Sequence, residues 1–362
     1  MQQRVAIAIS GGIDSLVAAA LLKEQGHQVI GLHFITGYES GFHRPPDHSD
    51  TNRDPAGIES RTRRLLVPML APLDIPIHII DLRREFQSRV VDYFVATYRR
   101  GRTPNPCLVC NPSIKFDLLY RRARALGAER IATGHYARLE RDRSDRMHLL
   151  RGVDPLKEQS YFLARLSQEQ LRQAVLPLGG FTKEQTRMMA RQKDLHPVAV
   201  QESQDICFIK NGSYGDFLQC QPGFAAVPGA IENLDGRPIG RHNGLHRFTV
   251  GQRRGINCPA AEPYYVVALD TTRNVLVVGG KGDLLTRTCR VDQISWINGP
   301  PAASTEVQVR VRYRHSAVPG ILVPENASRA RITFQEPQSA VTPGQGAVFY
   351  QADEVLGGGW IL

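Results

Sequence analysis

Apolar residues run without a break over positions 5–9 and then recur as Leu16, Val17, Ala20 and Leu21 until Gly26. The first pattern predicts a buried strand and the second a helix stopped by glycine. Residues 29–34 predict a second strand, 77–82 a third and 130–133 a fourth, with helical patterns between them. Strands that alternate with helices predict an α/β fold with a doubly wound parallel sheet. Ligands of such sheets sit beyond the carboxyl ends of the strands. Residues 10–15, Phe34, Gly134 and His135 all fall at those ends.

From about residue 200 the helical spacing fades, and short strands between Gly and Pro turns replace it. Residues 264–269, 307–314, 331–334 and 347–350 read as strands, the second with a basic face of Arg310, Arg312 and Arg314. The division expected is 1–200, 201–280 and 281–362: an α/β domain, then two small β-rich modules, the last a β-barrel. A polar insertion occupies residues 36–64, and its Gly, Pro and charge content predicts a mobile loop or lid. His33, His43 and His48 match no standard ligand spacing, so a solvated polar loop is preferred there and no metal site is expected.

A chain of 362 residues exceeds one ordinary core, and 42% hydrophobic content is that of a globular protein. The net charge of +10 favours a polyanionic partner such as nucleic acid, against the plainer reading of a basic enzyme. The basic stretch 237–254 is either a phosphate track or ordinary surface charge. No run approaches the ~20 apolar residues of a membrane span, and Met1 leads almost directly into a strand, so no signal peptide is expected. Six cysteines in this length do not make a disulfide scaffold, which predicts a reducing cytoplasm.

The chemistry begins in the first turn. Ser10, Gly11, Gly12, Ile13, Asp14 and Ser15 join the first strand to the first helix. The glycines permit a tight bend, and a helix N-terminus presents N–H groups and partial positive charge to an anion. A Walker loop would end in Gly-Lys-Ser/Thr, which is missing. The pattern resembles instead the PP-loop of the ATP pyrophosphatases (adenine nucleotide alpha hydrolase-like folds), which implies adenylation with release of pyrophosphate.

A second constellation runs from Gly101 to Pro112 and holds Cys107 and Cys110. Asn111 and Pro112 predict an N-cap and first turn for a helix from Ser113, placing Cys110 at a helix N-terminus near Lys115. Both features would lower a thiol pKa. Zinc would need a second cysteine pair at ligand spacing, which leaves a reactive nucleophile or a dithiol couple. Cys207, followed by Phe208 and Ile209, would by itself be a buried core cysteine. Ordered blocks change that reading: residues 10–15, 103–116, 132–136, 157–163, 205–209, 248–255, 342–345 and 357–359 together resemble the tRNA-specific 2-thiouridylases (MnmA/TrmU).

The resemblance implies an ATP-dependent enzyme that adenylates O2 of the wobble uridine of tRNA and replaces it with sulfur, releasing AMP and pyrophosphate with Mg2+. It makes Cys207 the persulfide carrier and Cys110 its partner, which releases the sulfur by disulfide formation or assists its transfer. Ala8, Ile9, Ser10, Gly11, Gly12, Ile13, Asp14, Ser15, Phe34 and Gly134 would hold ATP. Asn105, Pro106 and Cys107 would meet the target base, and His135, Lys157, Glu158, Gln159, Arg312, Tyr313 and Gln345 would contact tRNA. A persulfide donor protein, a sulfur-relay protein or a cysteine desulfurase, is the further partner implied. Some family members carry aspartate where Cys107 stands. The alternatives are a divergent PP-loop adenylating enzyme with another substrate, or a tRNA-binding sulfur carrier without catalysis. With tRNA as the polyanion, raising salt from 50 to 200 mM should weaken binding steeply through counterion release, by about tenfold or more in a filter-binding titration; a flat response would make the charge incidental.

Overall fold

The computed structural model describes residues 2–39, 55–198, 206–210 and 212–362. Two compact units emerge: Met1–Val90 with Cys107–Lys210 and Asp353–Val355, and Val91–Pro106 with Asn211–Ala352 and Leu356–Leu362.

In the first unit, strand β1 (Arg4–Ala8) leads into helix α1 (Ile13–Glu24), and β2 (Gln28–Ile35), helix α2 (Pro55–Leu70) and β3 (Ile77–Asp81) follow. A short β4 (Arg130–Ala132), a hairpin of β5 (Ala137–Arg141) and β6 (Met147–Arg151), and the two-residue β7 (Ala174–Val175) complete its strands. The sheet order is β3-β2-β1-β4-β7, and each of its pairings is parallel. The predicted doubly wound sheet is thus present. Its order reverses between β1 and β4, where ligand crevices form. Val5, Ala6 and Ile7 are fully buried, and α1 buries Leu16, Val17, Ala18, Ala19, Ala20 and Leu22 against them. The run of alanines lets the helix lie close to the sheet. Gly26, at φ +81°, ends the helix in the left-handed conformation that glycine adopts cheaply.

The structure revises two local expectations here. Residues 55–64, read as part of a loop, are helical, and Leu66, Met69 and Leu70 of the same helix pack into the core. Residues 40–54, including His43 and His48, lie outside the described residues. The helix expected from Ser113 begins already at Cys107. It runs as an α-helical turn over Cys107–Cys110, π-helical turns over Asn111–Leu119 and α-helix over Tyr120–Ala125. Pro112 therefore lies inside it. Proline cannot donate to the preceding turn and its ring crowds the carbonyl there, so the wider turns absorb a residue that the sequence suggested as a start.

The second unit holds β8 (Gly229–Glu232), β9 (Pro238–His242), β10 (Tyr265–Asp270) and β11 (Val275–Gly279), ordered β10-β11-β8-β9 around Ile231, Val266, Leu276 and Val278. The last module comprises β12 (Leu285–Trp296), β13 (Thr305–Arg310), β14 (Val318–Asn326), β15 (Arg329–Ser339), β16 (Gly346–Gln351) and β17 (Glu354–Ile361). Pairing in the order β12-β15-β14-β13-β16-β17, closed by β12 on β17, makes it the expected barrel. Val309, Leu322, Ile332 and Phe349 fill its interior. The basic strand stops at Arg310, short of the predicted Arg314, because the chain turns there: the Arg310 guanidinium donates back to the carbonyls of Tyr313 and His315.

Gly134, just past β4, lies close against the turn that follows β1. A Cβ there would lie 2.9 Å from the Asp14 carbonyl carbon and 3.0 Å from the Ser15 nitrogen. Gly134→Ala should therefore force the two segments apart and destabilise the protein by about 1–3 kcal/mol, read as a lower midpoint of thermal unfolding. An unchanged midpoint would show that the contact yields freely.

Candidate active site

The turn between β1 and α1 is built by its own hydroxyls. Ser15 Oγ donates to the Gly12 carbonyl (2.9 Å), accepts from the Ser10 amide (3.3 Å) and lies 3.2 Å from Ser10 Oγ. Gly11 sits at φ +86°, where a side chain would be strained. The turn delivers the chain to the N-terminus of a twelve-residue helix with no side-chain cap. Ile13, Asp14 and Ser15 form its first turn, whose N–H groups have no partners within the helix. Ala8 and Ile9 lead in. The Ile9 amide bonds Leu32 O (2.8 Å), and its carbonyl lies 2.7 Å from His33 Nδ1. Phe34 stands two residues beyond Leu32, the register partner of Ala8, and so at the same sheet edge.

Asp14 is held by a residue that sequence reasoning missed. Lys183 Nζ donates to both carboxylate oxygens at 2.7 and 2.8 Å, and the Tyr136 hydroxyl donates to Oδ1 at 2.7 Å. Lys183 is buried, whereas the Asp14 side chain is about one-third exposed. Burial, reinforced by Asp14, raises the Tyr136 pKa, so this hydroxyl stays a donor. Thr182 and Gln185 form a capping box that fixes the helix Lys183–Gln192. A lysine in a first helical turn opposes the helix dipole, and that misplacement was the signal available in the sequence.

The thiols gather in the same unit. Cys110 is buried, while Cys107 and Cys207 are exposed. Phe208 anchors the carrier segment: it is fully buried, with ring centres 5.7 Å from Phe86 and 6.0 Å from Tyr38. Lys210 Nζ donates to the Glu39 carbonyl at 2.6 Å. Cys107, Cys110 and Cys207 act on one another electrostatically, and Lys115 acts on all three. The lowered pKa expected for Cys110 is reversed. Burial pushes it up to about 12 against the pull of Lys115, since Cys110 ends a helical turn instead of opening a helix. Packing around Cys107 likewise pushes that thiol up to about 11, and dense surroundings raise Cys207 although part of it reaches solvent.

His135 connects the two clusters. It follows Gly134, its Nδ1 lies 2.7 Å from Thr133 Oγ1, and its ring faces Phe116 at 6.5 Å. Burial, aided by Lys115, holds its pKa well below the ordinary value, so the imidazole is neutral. Gln159 pairs with Tyr136 in both directions, its amide donating to Tyr136 O and its Oε1 accepting from Tyr136 N. Glu158 is buried and accepts from the Ser160 amide, whereas Lys157 is half-buried.

The remaining sequence-predicted residues meet in the second unit. Gln345 Nε2 donates to the carbonyls of Thr103 (3.2 Å) and Pro104 (2.9 Å), beside buried Asn105 and Pro106. A Cβ on Gly344 would strike Arg102 and Thr103 at 2.9 Å, so the two loops touch through backbone. Arg312 donates to Val250 O (3.0 Å) and Thr342 Oγ1 (2.6 Å), and Tyr313 packs under Arg310. Arg237, Arg241, Arg247, Arg253 and Arg254 are exposed. Among the described residues no group of His, Cys, Asp and Glu could hold a metal ion, and no helix is long and apolar enough to cross a membrane.

The sequence profile of the tRNA methyl transferase HUP domain matches residues 3–211, that of the tRNA methyl transferase PRC-barrel domain 215–280, and that of the aminomethyltransferase beta-barrel domain 286–361. The tRNA-specific 2-thiouridylase MnmA of Desulfosudis oleivorans is 51% identical, over 99% of this chain and 94% of that protein. The protein of the same name from Geobacter metallireducens is 44% identical, over 99% and 97%. A solved complex of a 4-thiouridine synthetase with RNA and bound ATP is similar at 20% identity and TM-score 0.35, covering 61% of this chain and 51% of that one.

Lys115 is the cation common to the three thiols. Lys115→Met should raise their pKa values, lower the thiolate fraction at pH 8 and slow alkylation of Cys207 by about three- to tenfold, followed by mass spectrometry. An unchanged rate would remove Lys115 as their counter-charge.

Proposed function

The chain belongs to the tRNA-specific 2-thiouridylase family and is a tRNA sulfurtransferase, and from that premise we propose that it adenylates the wobble uridine with ATP and thiolates it through a cysteine persulfide. One observation carries this reading. The anion-suited turn at residues 10–15 and the three thiols belong to the same compact unit, joined by the Gly134-His135 segment, which abuts Asp14 on one side and senses Lys115 on the other.

In this reading the triphosphate lies on the first turn of α1, where Gly11, Gly12 and the helix N–H groups meet phosphate oxygens. Phe34 packs the adenine and Gly134 keeps the crevice open. The uridine O2 attacks the α-phosphorus, and pyrophosphate leaves. Magnesium fits as a companion of the triphosphate: the turn offers one carboxylate, Asp14, and this ion is commonly held by one or two carboxylates together with substrate phosphates. Bound there, it would neutralise charge on the leaving pyrophosphate. Lys183 would hold the same carboxylate in place from its buried side.

The persulfide on Cys207 then supplies sulfur to C2, and AMP departs. Cys110 completes the transfer by attacking Cys207 Sγ: the bond to the outer sulfur breaks, that sulfur is reduced, and a Cys110–Cys207 disulfide remains. The raised thiol pKa values mean that the resting thiols are protonated and unreactive. A neutral His135 is suited to accept a thiol proton when substrate is in place. Cys107, Lys157, Arg312, Tyr313 and Gln345 contact the tRNA, buried Asn105 and Pro106 shape the loop that leads to Cys107, and the exposed arginines of residues 237–254 bind its phosphates. A persulfide-bearing donor protein reloads Cys207.

Pyrophosphate release and nucleoside mass spectrometry on tRNA test the two halves together. Wild type with ATP, magnesium and a persulfide donor should form 2-thiouridine and pyrophosphate. Asp14→Ala should lose pyrophosphate release by 100-fold or more, on the order expected when a site that positions and stabilises charge is dismantled. Cys207→Ser should lose 2-thiouridine and the persulfide signal. Pyrophosphate release at the wild-type rate in Asp14→Ala would take the turn out of the mechanism, and a persulfide signal retained in Cys207→Ser would reassign the carrier.

A further inference from the structure

The proposed cycle gives covalent roles to Cys110 and Cys207 and leaves Cys107 as a neighbour of the base. The thiol cluster suggests more for it. Cys107 and Cys110 open and close one α-helical turn. Helix geometry sets Cα atoms three residues apart at about 5 Å, inside the ~4.4–6.8 Å that a disulfide spans. A charge on Cys207 would be felt at both, and a charge on Cys107 at Cys110, so the three thiols lie near one another. Accessibility divides them: Cys110 is buried, while Cys107 is exposed.

We propose that Cys107 is a resolving thiol, which moves the Cys110–Cys207 disulfide into the helical turn as a Cys107–Cys110 disulfide and so frees Cys207 for the next sulfur. The inference rests on the persulfide cycle above. In the step, the Cys107 thiolate attacks Cys110 Sγ. The bond from Cys110 Sγ to Cys207 Sγ breaks, and Cys207 departs as a thiolate that takes up the proton Cys107 gave up. One disulfide replaces another, with no net oxidation. An external dithiol then attacks the sulfur of Cys107, the residue of the pair that reaches solvent, is itself oxidised to a disulfide, and returns Cys107 and Cys110 to thiols.

Two physical arguments favour attack at Cys110 over attack at Cys207. The helical turn already holds Cys107 and Cys110 at a spacing that a disulfide can bridge, whereas no shared element holds Cys107 to Cys207. Exchange at Cys110 also releases the carrier, while exchange at Cys207 would leave it blocked. The buried Cys110 sulfur is poorly placed for an external reductant, and Cys107 relays reducing equivalents to it from the surface.

A single-turnover experiment on the full chain reads the outcome. The protein, loaded with sulfur from inorganic polysulfide and then freed of excess, is mixed with tRNA, ATP and magnesium without reductant, quenched with N-ethylmaleimide and mapped by non-reducing peptide mass spectrometry. 2-Thiouridine is counted in parallel. Wild type should end with close to one Cys107–Cys110 disulfide per 2-thiouridine. Cys107→Ser and Cys107→Ala should instead hold Cys110–Cys207, normalised to the 2-thiouridine each forms. Wild type that ends in Cys110–Cys207 overturns the relay and leaves the persulfide cycle standing. 2-Thiouridine formed with no disulfide of any pairing overturns both.

Discussion

The first unit depends on how closely the segment after β4 can approach the N-terminus of α1. Gly134 has backbone where any other residue would place a Cβ, and it rests against Asp14 and Ser15. Two residues on, Tyr136 donates to the Asp14 carboxylate, which Lys183 engages from the buried side. The turn at residues 10–15 is therefore clamped from outside as well as by its own serines. A buried ammonium without its carboxylate would be costly, so the Lys183–Asp14 pair fixes one arrangement. Asp14 remains partly exposed, so its outer face stays accessible while its inner oxygens are held.

From this clamp the rest of the unit follows. His135 is carried along between Gly134 and Tyr136 and is kept neutral by burial next to Lys115. The same lysine opposes the burial that raises all three thiols. Thiols kept protonated by desolvation resist oxidation, and a change in their surroundings can release their reactivity. The aromatic cluster of Tyr38, Phe86 and Phe208 gives the Cys207 segment an anchor beside these charges.

In the second unit, loop-to-loop contact through backbone performs a similar service. Gly344 admits the 102–104 segment, and Gln345 binds its carbonyls, so residues distant in the chain share one locale. Arg312 is tethered there by Thr342 and Val250. Its charge is positioned by two acceptors where a free surface arginine would sample many rotamers.

Local patterning was enough to read the parallel sheet, the helix stopped at Gly26, the tight turn between β1 and α1 and the closing barrel. Strand alternation, apolar spacing and glycine punctuation act over a few residues, and nothing distant overrode them. Residues 55–64, read as loop, are helical, and the basic strand ends at Arg310. Three further features resisted that reading. The helix at Cys107 starts early because the fold tolerates Pro112 in widened turns, so a good local start signal lost to the packing of Leu108 and Ile114. The thiol pKa values reverse direction because desolvation, a property of everything packed around a sulfur, outweighs a nearby lysine. Lys183 could be found only by folding, since an ion pair spanning 169 residues has no period to betray it. The sequence by itself determined most of the elements and which candidate groups they carry. The tertiary structure alone decided which of those groups are dry, charged and in contact, because burial and Coulomb interaction depend on distance in space and not along the chain.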